Sequence, residues 1–187
     1  MSGAAGHIDP SNKKIALLIA VLALVLAFSE TLGKSAQTAA LRYNIEASNL
    51  WAFFQAKTIR MTQVRTAAES AELELPAASG DARAAYNKQI DTWKKTAARY
   101  DSEPDTQEGR KELAGRAKAA EEKRDRALAA YHHYEVASAA VQIAIVLASA
   151  AIITGVMALA WIGGALGLVA VAFSLIALLA PTAVHLF

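Results

Sequence analysis

From Val136 to Phe187 the chain carries no Asp, Glu, Lys or Arg, an uncharged run of more than fifty residues. About 20 consecutive apolar residues suffice to cross the hydrocarbon core of a bilayer. A helix in a soluble core would have been interrupted by charge well before that length was doubled. The run therefore predicts two membrane-spanning segments in succession. Inside a bilayer every backbone polar group must be satisfied within its own segment, so both are expected as helices. The second span of the chain is predicted over 136–161, a tight connection at Ile162 to Gly164, and the third span over 165–185. Trp161 and His185 suit the membrane–water interfaces, where amphipathic rings collect.

Near the other end, Lys13 and Lys14 stand directly before an apolar run, Ile15 to Phe28, which Leu32 extends towards spanning length. Residues 1–14 read as a polar N-terminal tail and 15–33 as the first transmembrane helix. A signal peptide is the alternative, with Ala27 and Ser29 resembling a weak cleavage site. The uncleaved anchor is favoured because the helical pattern continues without a break through Ser35, Ala39 and Leu41.

Between the spans, residues 34–135 hold 17 Lys and Arg against 15 Asp and Glu, mixed along the chain rather than blocked. Mixed charge of this kind is a solvated helix surface and not a nucleic-acid stripe, so no nucleic acid is expected as a partner. No glycine or proline falls between Lys34 and Leu75, and Leu50, Phe53, Phe54, Met61, Val64, Ala67 and Ala71 recur at helical spacing. One outgoing helix of about 40 residues, roughly 60 Å long at the helical rise, is predicted. Pro76 to Gly80 is a turn signal, with Asp81 placed to cap the next helix. Tyr86, Ile90, Trp93, Ala97 and Tyr100 then alternate by four and three residues, a stripe that needs a partner helix. Ser102 to Pro104 interrupt it, and Leu113, Ala117, Ala120, Ala127, Leu128 and Tyr131 form another amphipathic face that leads into the second span. The expected fold is an all-α membrane protein: three transmembrane helices, with a long, coiled-coil-like helical hairpin as the soluble domain (34–135) between the first and second.

The candidate residues are mostly packing residues. Ala137, Ala140, Ala144, Ala148, Ala151 and Gly155 make a smooth strip on which another helix backbone can approach closely, and Gly163 with Gly167 forms a GxxxG pair. Gln142, inside the second span, is expected to make an interhelical hydrogen bond, with pore lining as the alternative. Trp51, Phe53 and Phe54 form an aromatic belt expected to pack against Tyr86, Ile90, Trp93 and Tyr100, and also to offer an oligomer contact. His132 and Glu135 are three apart, but a stable metal site needs three or four converging ligands, so no metal is expected. Cysteine is absent, which removes thiolate nucleophiles and Cys-based metal or iron–sulfur sites. No phosphate loop, Gly-rich dinucleotide turn or HExxH occurs, so neither an enzyme nor a cofactor is expected.

The segment NIEASNLWAFFQAKTIR, residues 44–60, follows an N-terminal anchor and precedes a paired C-terminal hydrophobic hairpin. In this the chain resembles the DUF4337 family of uncharacterised bacterial membrane proteins, most specifically at the WAFFQAK core, Trp51 to Lys57. The resemblance extends from about Lys13 onward. It implies three spans and a bacterial inner-membrane location, and brings no catalytic residues with it.

The positive charges conflict over orientation. Lys13 and Lys14 favour a cytoplasmic N-tail, whereas Lys34, Arg42, Arg116, Lys118, Lys123, Arg124 and Arg126 favour a cytoplasmic central domain, the orientation the count supports. The functional expectation is a non-enzymatic membrane scaffold or interaction protein that contacts lipid, self-associates into a homo-oligomer and takes an unidentified protein partner. The alternatives are a subunit of an oligomeric channel or transporter accessory, lined by Gln142, Thr154 and Ser174, and a sensor that works through a partner.

Overall fold

The structure, a computed structural model, describes residues 10–184. Four α-helices follow one another: α1 (Pro10–Glu74), α2 (Gly80–Asp101), α3 (Arg110–Thr154) and α4 (Met157–Leu179), with a 3-10 turn at Leu75–Ala77 after the first. No strand occurs among the described residues. Residues 1–9 of the expected tail, and His185, lie outside the described residues. Residues 10–14 are helical rather than tail, since a proline is tolerated in the first helical turn, where its missing N–H has no partner to lose. Three of the helices, α1, α3 and α4, are long and apolar enough to cross a membrane. By internal contacts the chain divides into two compact units, one formed by the residues up to Leu41 with those from Arg124 onward, the other by Arg42–Lys123.

The first unit contains the three apolar stretches. Ile15 of α1 packs with Ala148 and Ala151 of α3 and Ala160 of α4. Two turns further along α1, Leu22 packs with Ala137, Val141 and Ala144 of α3 and Ala170 of α4. The α3 partners step backwards and the α4 partners forwards, so within this unit α1 runs antiparallel to α3 and parallel to α4. The face of α3 turned inward is Ala137, Val141, Ala144, Ala148 and Ala151, every one buried. Small side chains at this spacing let the helix axes approach, so that dispersion between backbones replaces interdigitated large side chains.

The connection between α3 and α4 differs from the sequence expectation. It falls at Gly155–Val156 rather than at Ile162 to Gly164, so the two apolar helices end and begin at Thr154 and Met157 instead of Trp161 and Ala165. Gly155 explains this: its φ of 73° is the left-handed conformation open to glycine, and its N–H reaches the Ala151 carbonyl at 3.0 Å, a glycine helix stop. The glycines that suggested a turn lie inside α4, where Gly163, together with Gly167, serves close approach. A Cβ at Gly163 would sit 2.8 Å from the Ala144 carbonyl oxygen, and one at Gly167 would sit 2.5 Å from Cδ2 of Leu22.

In the second unit α2 runs back along α1. The Tyr86 hydroxyl donates to Glu74 at 2.7 Å, Ile90 packs on Ala68 and Ala71, and Lys94 pairs with Glu72. The residue before α2 with extended backbone is Ser79, so Asp81 lies in the first turn, where its carboxylate meets the positive end of the helix dipole, and does not cap it. The aromatic belt also departs from expectation. Trp51, Phe53 and Phe54 pack with Ala47, Leu50 and α3's Leu113, Ala117 and Ala120, not with Tyr86, Ile90 and Trp93. Register explains it. Starting from the turn after Glu74, α2 has 22 residues and reaches back only to the level of Lys57, so the belt lies beyond its end and faces α3.

The two neighbouring glycines of α4 give a direct check on the tight seam. Gly163→Ala should destabilise the protein by about 1–3 kcal/mol through overpacking against the Ala144 carbonyl. Gly164→Ala, whose Cβ meets nothing within 4 Å, should be neutral or raise the melting temperature slightly. Thermal unfolding in detergent, followed by helical circular dichroism, compares the two; equal melting temperatures would contradict the seam.

Candidate functional site

The residues singled out from sequence separate into a seam, a notch beside it, and a polar clasp in the charged unit. In the seam, Ala144, Ala148, Ala151, Gly163 and Gly167 are buried, and Ala140 is half-buried against the same core. Gly155 is exposed at the turn and does not belong to it. The seam is closed within one chain, so these residues are not a free face for another copy. Two polar contacts complete it, one made by Ser29 with Ser174 and one by His133. Ser29 and Ser174 are joined Oγ to Oγ at 3.0 Å between α1 and α4; the Ser174 proton goes to the Ala170 carbonyl at 2.9 Å, so Ser29 is the donor between them. His133 is buried, stacked near Phe173, and its Nε2 lies 3.0 Å from the Pro181 carbonyl, which can only accept. That contact fixes the proton on Nε2 and leaves Nδ1 buried without a hydrogen-bond partner.

Beside the seam, α1 and α3 enclose an open notch of about 370 Å³, in the size range of small-ligand sites. Glu30 and Lys34 line one wall, and Tyr131, Glu135 and Gln142 the other. The Gln142 side-chain amide donates to Glu30 at 3.4 Å. Gln142 thus makes a bond between helices, as its position suggested, but to a carboxylate near the end of the first apolar stretch that sequence reasoning left without a role. Gly33 floors the notch, since a Cβ there would press on Cβ of Tyr134 at 3.1 Å. The Tyr131 hydroxyl donates to Glu135 at 3.3 Å, and His132 lies 3.7 Å from the same carboxylate. Among the described residues no group of three or more His, Asp or Glu side chains is gathered as metal ligands.

The clasp gathers around the end of the aromatic belt. Lys57 occupies an inward position of α1 with only 6% of its surface exposed. Its ammonium lies 3.8 Å from both Glu103 and Glu108 and over the rings of Phe53 and Tyr100, so charge pairing and the ring faces together offset its desolvation. Arg110, at the start of α3, donates to Thr58 at 2.9 Å and Asp101 at 3.2 Å, and lies over Phe54. The Glu112 carboxylate accepts from Ser102 Oγ at 2.7 Å and from the Glu103 backbone N–H at 3.1 Å. A side chain at Gly109 would collide with that same carboxylate and the Glu103 backbone. Trp51 completes the set by donating to Glu121 at 2.9 Å. The WAFFQAK segment therefore anchors the connection between α2 and α3. Of its residues the belt aromatics were legible from sequence, whereas Lys57 was hidden because its acidic partners lie about fifty residues away.

These groups pack, pair and hold helix ends; the described arrangement is that of an all-helical protein in which three apolar helices are closed by small residues and a charged helical unit is fastened by ion pairs. The chain belongs to DUF4337, a domain of unknown function, whose family model matches residues 11–180. No curated protein and no solved structure matches it.

The clasp makes the charged unit sensitive to acid. Hydrogen bonds from Ser102 and the Glu103 backbone hold the Glu112 carboxyl below the usual carboxylate range, and the Lys111 ammonium, bonded to Asp101, does the same there with help from Arg110. Both are depressed in the folded state, so their stabilisation is fully present above the unfolded carboxylate values, about 4, and is lost as pH falls through the lower folded ones. Melting temperature should therefore fall on acidification below about pH 4, and Glu112→Gln should lower it at neutral pH while flattening that acid slope. An unchanged slope in the variant would contradict the role given to Glu112.

Proposed function

We propose that this is a non-enzymatic integral membrane scaffold or interaction protein of the bacterial inner membrane, with three spans and a cytoplasmic helical hairpin, that self-associates. The observation that carries the reading is α1 itself. One helix of 65 residues, without glycine or proline from Lys34 to Glu74, holds both the first apolar stretch and the longest element of the charged unit. A protein bound to the charged unit is thereby tied to the bilayer through continuous hydrogen-bonded backbone.

Several features support the membrane assignment. The apolar length of α3 from Val136 to Thr154 is about 28 Å at the helical rise, close to a hydrocarbon thickness of about 30 Å. Leu24, Phe28, Ile143, Val146, Leu168 and Leu175 are exposed around the three-helix unit, as lipid-facing positions should be. Trp161, 78% exposed and one turn into α4, suits an interfacial anchor near the Gly155 turn. The packing of Ile15, Leu22 and Ser29 against α3 and α4 favours the anchor reading of the first segment over a signal peptide. Orientation rests on the excess of Lys and Arg flanking the spans on the side of the charged unit.

The channel alternative has weaker support. Ser174 is bonded to Ser29 and Ala170, Thr154 to the Ala150 carbonyl, and Gln142 to Glu30, so the three polar side chains offered as a pore lining each have a partner within one chain.

Native mass measurement of the full-length protein in nanodiscs tests the scaffold. A discrete homo-oligomer is expected. Because the alanine seam is internal, Ala148→Leu should lower thermal stability by about 1–3 kcal/mol instead of simply dissociating the oligomer. A monomer at every protein-to-lipid ratio would contradict self-association.

A further inference from the structure

The notch between α1 and α3 lies wholly within the apolar unit, and its charges are the ones nearest the apolar stretches of both helices. On α1 the uncharged run that starts at Ile15 ends at Glu30, and Lys34 follows one turn later. On α3, Glu135 is the last charge before the uncharged run from Val136. This inference rests on the membrane reading given above, which puts the notch at the level of the lipid headgroups.

The charges in the notch leave bonding capacity unused. Glu30 and Lys34 are four residues apart, in the order that favours an ion pair along a helix. Lys34 nevertheless makes no ion pair among the described residues, so the two opposite charges stand apart along one wall. Both carboxylates hold long bonds: Glu30 accepts from the Gln142 amide at 3.4 Å, and Glu135 from the Tyr131 hydroxyl at 3.3 Å with the His132 ring at 3.7 Å. Tight bonds of these kinds are about 2.7–3.0 Å, and a carboxylate can accept about four, so each retains acceptor positions. Two carboxylates against one ammonium disfavour an anion. They suit a zwitterion, its cationic end shared by the carboxylates and its anionic end on Lys34.

Towards the apolar side the same two helix faces continue at helical spacing, from Glu30 to Leu26 and from Gln142 to Ile145 and Val146. Leu26 and Ile145 are half-buried and Val146 is exposed. A ligand with a hydrocarbon tail covers this strip, whereas a soluble ammonium compound leaves it bare. We propose that the notch is a headgroup site for a phospholipid bearing a primary ammonium, of the ethanolamine type. The ammonium donates to Glu30 and Glu135, the phosphate accepts from Lys34, and an acyl chain lies along Leu26 and Val146. A choline head has no N–H to donate. A glycerol head brings the negative phosphate with no positive charge for the carboxylates.

The full-length protein is placed in nanodiscs holding ethanolamine, choline and glycerol phospholipids in equal amounts with identical acyl chains, and the lipids retained on the released protein are counted by native mass measurement. The ethanolamine lipid should be retained several-fold over the other two. Glu30→Gln combined with Glu135→Gln, which removes charge at nearly constant shape, should abolish the preference. Ser138→Leu, which fills the notch without altering its charge, should lower retention of that lipid several-fold. Glu46→Gln, exposed on α1 outside the notch, should leave the preference intact, and helical circular dichroism should be the same for all variants. Equal retention of the three headgroups, or a preference that survives both notch variants, overturns the site. Free phosphoethanolamine that displaces the retained lipid from detergent-solubilised protein as readily as the ethanolamine phospholipid does assigns the notch to a soluble ammonium compound and overturns the lipid. A chain that does not enter nanodiscs overturns the membrane reading itself, whereas one that enters and shows no headgroup preference overturns this site alone.

Discussion

The fold of the apolar unit depends on how closely two helix backbones approach where Gly163 of α4 meets the Ala144 carbonyl of α3. Neither residue offers a side chain large enough to hold the axes apart, and the same small-residue geometry recurs at Ala148, Ala151, Ala160 and Gly167. Between small residues such contact gains its energy from dispersion across short distances and from the few polar bonds it shelters. Ser29 to Ser174 and His133 to Pro181 are those bonds, and each needs the axes to be close. The seam also determines what remains outside it: large aliphatic side chains turned outward and, next to α1, the notch containing Glu30, Lys34 and Gln142.

The charged unit is built on a different principle. Its interior is narrow, with alanine, Leu50, Met61, Ile90 and Leu113 as its buried apolar residues, so ion pairs and ring contacts at one end do much of the fastening. Lys57 and Arg110 draw together Asp101, Glu103, Glu108, Phe53, Phe54 and Tyr100 where α2 ends and α3 begins. The segment most distinctive in sequence, Trp51 to Lys57, thus supplies one side of this junction. Distinctive composition here reflects a junction of three helices that would otherwise come apart at the loop.

Helix content, the continuity of α1, the turn after Glu74 and the break after Asp101 were legible because each rests on local signals: the absence of Gly and Pro, Pro76 with Gly80, and Pro104. The end of α3 was misplaced because Gly163 and Gly164 resemble a turn more than the single Gly155 does. What separates them is a backbone φ and the nearness of another helix, neither of which a one-dimensional pattern contains. The belt was matched to the wrong helix for a similar reason. Periodicity identifies a face that needs a partner, whereas the identity of the partner depends on the length of α2, which runs out before it reaches Phe54. Lys57, His133 and Ser29 were overlooked because a polar residue on an inward position is explained only by groups far away in sequence.

The small-residue seam closes three apolar helices of a single chain, and everything else in the apolar unit depends on that closure. Spin labels on Leu24→Cys in α1 and Leu168→Cys in α4, both exposed and adjacent to the contact between Leu22 and Gly167, test it by pulsed dipolar distance measurement in nanodiscs. One short, narrow distance is expected, and it should keep its amplitude when the doubly labelled protein is diluted with unlabelled chains. A distance that disappears on dilution would mean that α1 and α4 meet between chains, and the single-chain seam would be wrong.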